Sequence, residues 1–188
     1  MVEIVFVKGS GPGDRDRTYF NRAGMSERVP VHPVHDLPHL VVESLFHIED
    51  GLWAQLVRGE HREATTAVTA RDPKRQKLGR IVSGATTGGR TDTWLSDGHR
   101  LAKTATNAVT NRWGDGPDTP SGVRRRLSGA GGEAGRILLD RLDDETIALA
   151  IRGVRDLERR WAATPPGGTL PLQWPLPEAF FAPEIPPS

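Results

Sequence analysis

Apolar residues recur at helical spacing over residues 32–48, and this segment has the most strongly apolar helical pattern in the first half of the chain. On the one side that is not apolar, His39, Glu43 and His47 follow one another at intervals of four; we call this the polar face. A helix that is apolar nearly all round is normally buried, so titratable groups on its polar face need partners, water or a metal ion. The pattern therefore predicts a mostly buried helix whose polar face is the candidate site.

Pro38 limits where this helix can begin. Proline is tolerated in the first helical turn, but further inside it lacks an amide donor and clashes with the carbonyl four residues earlier. Asp36 is a good N-cap residue, so we expect the helix to begin near Asp36, with His35 at the cap or just before it. His35 would then not lie one regular turn before His39, although a histidine in a loop can still reach a metal ion.

The rest of the chain alternates between strand-like and helix-like patterns. Residues 2–8 (VEIVFVK) predict a strand, the turn residues GSGPGD follow, and residues 18–21 predict the returning strand of a hairpin. Residues 169–174 (TLPLQW) predict a last strand, which Pro171 places at a sheet edge. Further helices are predicted at 52–59, 93–113, 123–127, 133–142 and, with the clearest core spacing, 144–163.

This order of elements predicts an α+β fold. The N-terminal hairpin and the C-terminal strand would form a small, mostly antiparallel sheet that several helices cover. A length of 188 residues with 36% hydrophobic content suits one domain with a substantial core, which we place at residues 1–174. Residues 175–188 are proline-rich and predict an irregular tail; within and just before it, Trp174, Phe180 and Phe181 are expected to pack on the body.

Composition and charge narrow the possible chemistry. The chain has no cysteine, so a metal ion would be held by histidine and carboxylate groups alone. A net charge of +1 does not indicate a nucleic-acid partner. With no signal peptide and no long apolar segment, we expect a cytoplasmic protein without a membrane partner. The sequence does not say whether its partner is a small molecule or a protein.

Two glycine-rich segments resemble phosphate-binding motifs without their context. The G-x-G-x-G after the first strand has Asp14 where the dinucleotide fingerprint G-x-G-x-x-G needs its last glycine, and no helix pattern follows it. Residues 84–91 (GATTGGRT) match a P-loop except that Arg90 stands in place of its lysine. They overlap the end of a basic stretch, residues 71–90, which predicts an exposed loop. We expect neither segment to bind a nucleotide.

His35, Asp36 and His39 form the sequence H-D-x-x-H, a near relative of the zinc motif H-E-x-x-H. His35, His39 and Glu43 are therefore candidate ligands of one divalent metal ion, for which we expect zinc, and Asp36 and His47 are candidate catalytic groups. One function that this predicts is a metal-dependent hydrolase. The alternative is a non-enzymatic interaction protein whose histidines only hydrogen-bond to backbone and carboxylate groups.

Two resemblances rest on these residues. Residues 35–59 resemble a segment of small actinobacterial proteins that begin with a short strand and often end with a helix and a strand like TLPLQWP; the shared parts are HDxxHxxVE and GLW, and they imply no assigned activity. The HDxxH sequence also resembles the zinc motif of the ubiquinone-biosynthesis Coq4 proteins, in which a glutamate follows later in the chain. That position is Gly51 here, so this resemblance implies a third ligand only if Glu43 or Glu49 replaces it.

Overall fold

The computed structural model describes residues 2–22, 25–29, 33–59, 96–114 and 116–181. These residues form one four-stranded antiparallel sheet and a set of helices that share a core with it. The sheet has the order β3-β2-β1-β4, and its strands are β1 (Val2–Val7), β2 (Arg17–Arg22), β3 (Met25–Val29) and β4 (Thr169–Trp174). The predicted α+β class, the N-terminal hairpin and the C-terminal strand are confirmed.

Burial alternates along β1 and along the neighbouring edge strand β4, and this alternation orients both strands. Ile4 and Phe6 of β1 are fully buried, and every second residue of β4 is buried. In the register of the pair, Ile4 lies opposite Leu172 and Phe6 opposite Leu170. Because successive strand residues point to opposite faces, this register puts all the buried residues on the side that faces the helices. Pro171 lies on the edge strand, as predicted.

The strand β3 was not predicted, and its composition explains why. Residues 26–28 are exposed, and Val29 at its end is buried. An edge strand needs few apolar residues, so this one lacks the alternating pattern by which strands are recognised. Its backbone pairing with β2 defines it instead.

The helices largely follow the predicted pattern, but most begin or end a few residues away from the predicted positions.

Among the described residues, no helix is both long and apolar enough to cross a bilayer. The basic stretch 71–90, with its segment 84–91, lies outside the described residues, as do residues 93–95 of one predicted helix. The described α-helices are α1 (Pro33–Leu45), α2 (Leu52–Arg58), α3 (Asp97–Val109), α4 (Pro120–Ala130), α5 (Gly132–Arg141) and α6 (Asp144–Ala163).

The start of α1 contradicts the prediction made from Pro38. The helix begins at Pro33. The amide of a first helical residue has no acceptor within the helix, so a proline at this position loses no hydrogen bond. Pro38 lies inside the helix. The carbonyl that loses its helical donor to Pro38 belongs to Val34, which is 54% exposed, so water can hydrate it. The ring of Pro38 is itself buried, which further offsets the cost of an interior proline. His35 therefore belongs to the helix, one turn before His39.

The end of α1 is a Schellman motif centred on His47. His47 has a left-handed φ of 51°, and the amide of Ile48 donates to the carbonyl of Glu43 over 3.0 Å. This arrangement satisfies a carbonyl of the last helical turn. The predicted helix therefore stops before His47, whose side chain is exposed.

Two basic side chains from distant parts of the chain cap the C-terminal ends of helices by donating hydrogen bonds to their last carbonyls. Lys8 donates to the carbonyls of Trp161 at 3.0 Å and Thr164 at 2.8 Å, where α6 ends. Arg126, whose side chain is 0% exposed, donates through Nε to the carbonyl of Ala108 at 2.7 Å, at the end of α3. Both cations also suit the negative end of the helix dipole.

The chain after β4 forms a short 3-10 helix (Glu178–Phe181), so the prediction of an irregular tail is wrong for these residues. Leu176 is buried, and its amide donates to Oγ of Ser44 on α1 over 3.0 Å. Phe180 and Phe181 are partly buried against the core. Gly153 allows this approach, because a Cβ there would lie 3.2 Å from Cε1 of Phe181. Residues 182–188 lie outside the described part of the chain.

We predict that His47→Gly raises the free energy of unfolding by about 1 kcal/mol, because a left-handed conformation is costly for any residue with a Cβ. His47→Ala retains that cost and is the matched control for loss of the imidazole. Urea denaturation of the three proteins measures the effect. Equal stabilities of the Gly and Ala variants would contradict the left-handed cap.

Candidate functional site

Glu43 is a buried carboxylate that joins α1 to α2. The residue is 2% exposed. Its Oε1 accepts the amide of Leu52 at 2.8 Å, and its Oε2 accepts the amide of Trp53 at 2.9 Å. These are the first two residues of α2, whose amides have no acceptor within that helix. Glu43 therefore supplies the N-terminal cap of α2 from another helix, at the positive end of its dipole.

Gly51 makes room for this cap. It precedes α2 and has no side chain that could cap the helix itself. A Cβ at this position would overlap the carboxyl carbon and Oε2 of Glu43. Its φ of −80° is open to any residue, so glycine is needed here for close approach and not for its conformational freedom. The position that corresponds to the glutamate of the Coq4 zinc motif thus lies against the carboxylate of Glu43.

Two opposing influences act on the ionisation of Glu43: burial disfavours the charged carboxylate, and nearby hydrogen-bond donors favour it. Burial raises the pKa of Glu43 above its ordinary value of 4.5, because the charged form loses its hydration. The imidazole of His39 and the amides of Trp53 and Leu52 act in the opposite direction. Nδ1 of His39 lies 3.4 Å from Oε1 of Glu43. That nitrogen is buried and makes no well-aligned hydrogen bond.

Trp53 links the cap to the core. Its side chain is fully buried, and its Nε1 donates to the carbonyl of Asp36 over 3.0 Å. Its ring lies 5.7 Å from that of Phe6 and 6.2 Å from that of Phe20, both in the sheet. A seven-residue helix such as α2 is not stable alone, so these contacts and the Glu43 cap hold it in place.

The structure brings two of the predicted site residues together. His39 and Glu43 are neighbours, Asp36 is half-buried in the first turn of α1, and His47 is exposed beyond the helix end. The assignment of His47 to the polar face is therefore wrong, because the left-handed cap turns the chain away from the helix. Among the described side chains, no three histidines or acidic residues are grouped to hold a metal ion. The side chain of His35 is not among them.

A second candidate site lies between α6 and the 3-10 helix, and we call it the arginine groove. It has a cavity volume of about 660 Å³. No sequence pattern predicted this groove, because its two walls come from separate segments that only the folded chain brings together. The residues that give it its character are four arginines, one acidic residue and two aromatic rings: Arg152, Arg155, Arg159, Arg160, Asp156, Phe180 and Phe181.

We predict that Gly51→Ala lowers the free energy of unfolding by about 1–3 kcal/mol, because the new methyl group displaces the carboxylate of Glu43 and leaves α2 without its cap. Gly129→Ala is the matched control: nothing lies within 4 Å of a Cβ there, and the residue is in α4. The free energy of unfolding of this control should rise by about 0.5–1 kcal/mol, because alanine is more favourable than glycine inside a helix. Thermal or urea unfolding measures both, and equal effects would contradict the close approach.

The raised pKa of Glu43 predicts the sign of a pH dependence. The folded state holds the proton more tightly than the unfolded state, so this contribution is fully present below the unfolded pKa and is lost as the pH rises through the folded pKa. The advantage of the wild type over Glu43→Gln should therefore shrink as the pH rises from about 4. Urea denaturation at a series of pH values, in a His39→Gln background that leaves Glu43 as the one ionisable group of the pair, measures it. An advantage that grows with pH would contradict the prediction.

Comparison with known proteins adds no assignment to these two sites. No family model, curated protein or solved structure matches the chain. The two resemblances that rest on the HDxxH segment are therefore neither supported nor contradicted.

Proposed function

We propose that this protein is a non-enzymatic interaction protein of the cytoplasm, in which His39 and Glu43 have a structural role. One observation carries this proposal: both carboxylate oxygens of Glu43 accept amides from the N terminus of α2. A metal ligand or a general base has to offer an oxygen to a metal ion, a water molecule or a substrate. With both oxygens of Glu43 already accepting backbone amides, only the remaining lone pairs of a carboxylate that is 0% exposed are left for such a role.

Accessibility supports the same proposal. A catalytic metal ion keeps one coordination position open for water or substrate. The side chains of Glu43 and His39 are only 0% and 15% exposed, which leaves little space for either. Of the two residues expected to act as catalytic groups, His47 lies beyond the end of the helix. The polar face of α1 is thus better suited to holding two helices together than to chemistry.

A structural metal ion, with zinc the expected element, is the second candidate, and one observation favours it. Nδ1 of His39 is buried without a hydrogen bond, which is costly for a polar atom. The helix places His35, His39 and Glu43 on successive turns of one face. A metal ion held by the two histidines and a remaining lone pair of Glu43 would satisfy that nitrogen. It would also stabilise the folded chain, because the unfolded chain lacks the arrangement.

Metal content and thermal stability together distinguish the two candidates. For wild type purified without a histidine tag, we predict less than about one-tenth of an equivalent of zinc and no change in Tm on addition of a chelator. Glu43→Gln should lose about 1–3 kcal/mol of unfolding free energy, with or without the chelator, because its amide group faces a backbone amide.

The controls for this experiment are His39→Ala and His47→Ala, which remove a histidine inside and outside the buried pair. Close to one equivalent of zinc in wild type and in His47→Ala, but not in His39→Ala, would overturn the proposal. The structural metal site would then be the correct function of the polar face.

A further inference from the structure

The arginine groove carries a local excess of positive charge. Four of its lining residues are arginines and one, Asp156, is acidic; Asp118, outside the lining, also pairs with Arg155, and the whole chain has a net charge of +1. Arg152, Arg155 and Arg159 follow one another three and four residues apart, so they lie along one side of α6. A row of guanidinium groups beside a groove attracts a ligand that carries several negative charges.

The contacts that these arginines make within the protein leave them available to a ligand. Arg155 pairs with Asp118 over 3.2 Å and Arg159 with Asp156 over 2.9 Å, with 59% and 75% of the arginine side chains exposed. Ion pairs this exposed are weak, so a ligand can compete for them or share them. Arg152 is exposed and makes no ion pair or hydrogen bond within the described part of the chain.

The floor of the groove is apolar. The rings of Phe180 and Phe181 meet edge to face, with centroids 5.1 Å apart, and both side chains are half-buried. Gly153 also lines the groove, and its lack of a side chain leaves room for the ring of Phe181 against α6. Aromatic and arginine side chains are both enriched at surfaces that bind proteins.

The chemistry favours a peptide over a nucleic acid. The guanidinium group of Arg160 lies 5.7 Å from the ring centroid of Phe180 and covers that face, which a nucleobase would need for stacking. Arginine pairs with carboxylates through two parallel hydrogen bonds, so acidic side chains suit this row. The lining residues on α6 run from Leu149 to Arg160, and at 1.5 Å per residue this is about 17 Å, which matches roughly five residues of an extended peptide.

We propose that the arginine groove binds a short acidic segment of a partner protein. Carboxylates of the segment pair with Arg152, Arg155 and Arg159, and one of its apolar side chains packs on Phe181, because Arg160 already covers a face of Phe180. This inference rests on the proposed interaction function and adds the chemistry of the partner.

Fluorescence anisotropy with a synthetic peptide tests the inference. The probe is a labelled seven-residue peptide of Asp and Glu with a central Phe, and its control has Asn and Gln in place of the acids. The acidic peptide should bind saturably and the neutral one should not. Arg152→Gln/Arg155→Gln should weaken binding about tenfold or more. The matched control Arg136→Gln/Arg141→Gln removes the same charge from exposed positions of α5 and should bind like wild type.

Three results would overturn the inference: no saturable binding of the acidic peptide, equal weakening in the two double variants, or tighter binding of a labelled single-stranded oligonucleotide. Circular dichroism of each variant confirms that it is folded. The metal measurement tests the proposed function separately. Bound zinc that depends on His39 would contradict the proposed function. Failure of the peptide to bind to a metal-free protein would contradict only the inference that the groove binds an acidic segment.

Discussion

The capping of α2 by Glu43 is the contact on which the arrangement of the first half of the fold depends. A carboxylate buried to 2% exposure is destabilising unless its oxygens find donors, and a seven-residue helix needs acceptors for its first amides. Each requirement satisfies the other, with contacts of 2.8 and 2.9 Å. Gly51 permits the approach, and Trp53, held by the same cap, carries the effect into the sheet through Phe6 and Phe20.

The same principle recurs at the other end of the helix dipole. Lys8 closes the C-terminal end of α6 and the buried Arg126 closes that of α3, each from a distant part of the chain. An anion at an N terminus and cations at C termini are the favourable pairings for the dipole. The chain therefore uses charged side chains to satisfy backbone groups at helix ends, which loops or local caps satisfy in many proteins. Charged residues in the interior of this protein are thus poor indicators of catalysis.

This use of charge separates the two candidate sites. In the polar face of α1, Glu43 is committed to the backbone of α2, and His39 is its close neighbour. In the arginine groove, the guanidinium groups of Arg152, Arg155 and Arg159 are exposed beside an apolar floor. The first arrangement holds two helices of the same chain together. The second exposes charged groups that another molecule can contact. The proposed interaction function follows from this contrast.

The sequence by itself determined the fold class, because periodic burial is a local property. The Val and Ile content of residues 2–8, the alternation in residues 169–174 and the spacing of the core positions in 144–163 predict elements that the structure confirms. The His39–Glu43 pair was also predictable, since the two residues are four apart on one helix. What these patterns cannot contain is the partner of each polar group.

Only the tertiary structure decided those partners. Some of them come from elsewhere in the chain. Others depend on whether burial or backbone hydrogen bonding is the stronger local effect. The amides that occupy Glu43 belong to α2, beyond the turn at Gly51. The early start of α1 depended on burial of Pro38, and the exposure of His47 depended on a left-handed cap that a histidine does not signal. The strand β3 exists through its pairing with β2, and the arginine groove exists because the 3-10 helix returns to α6.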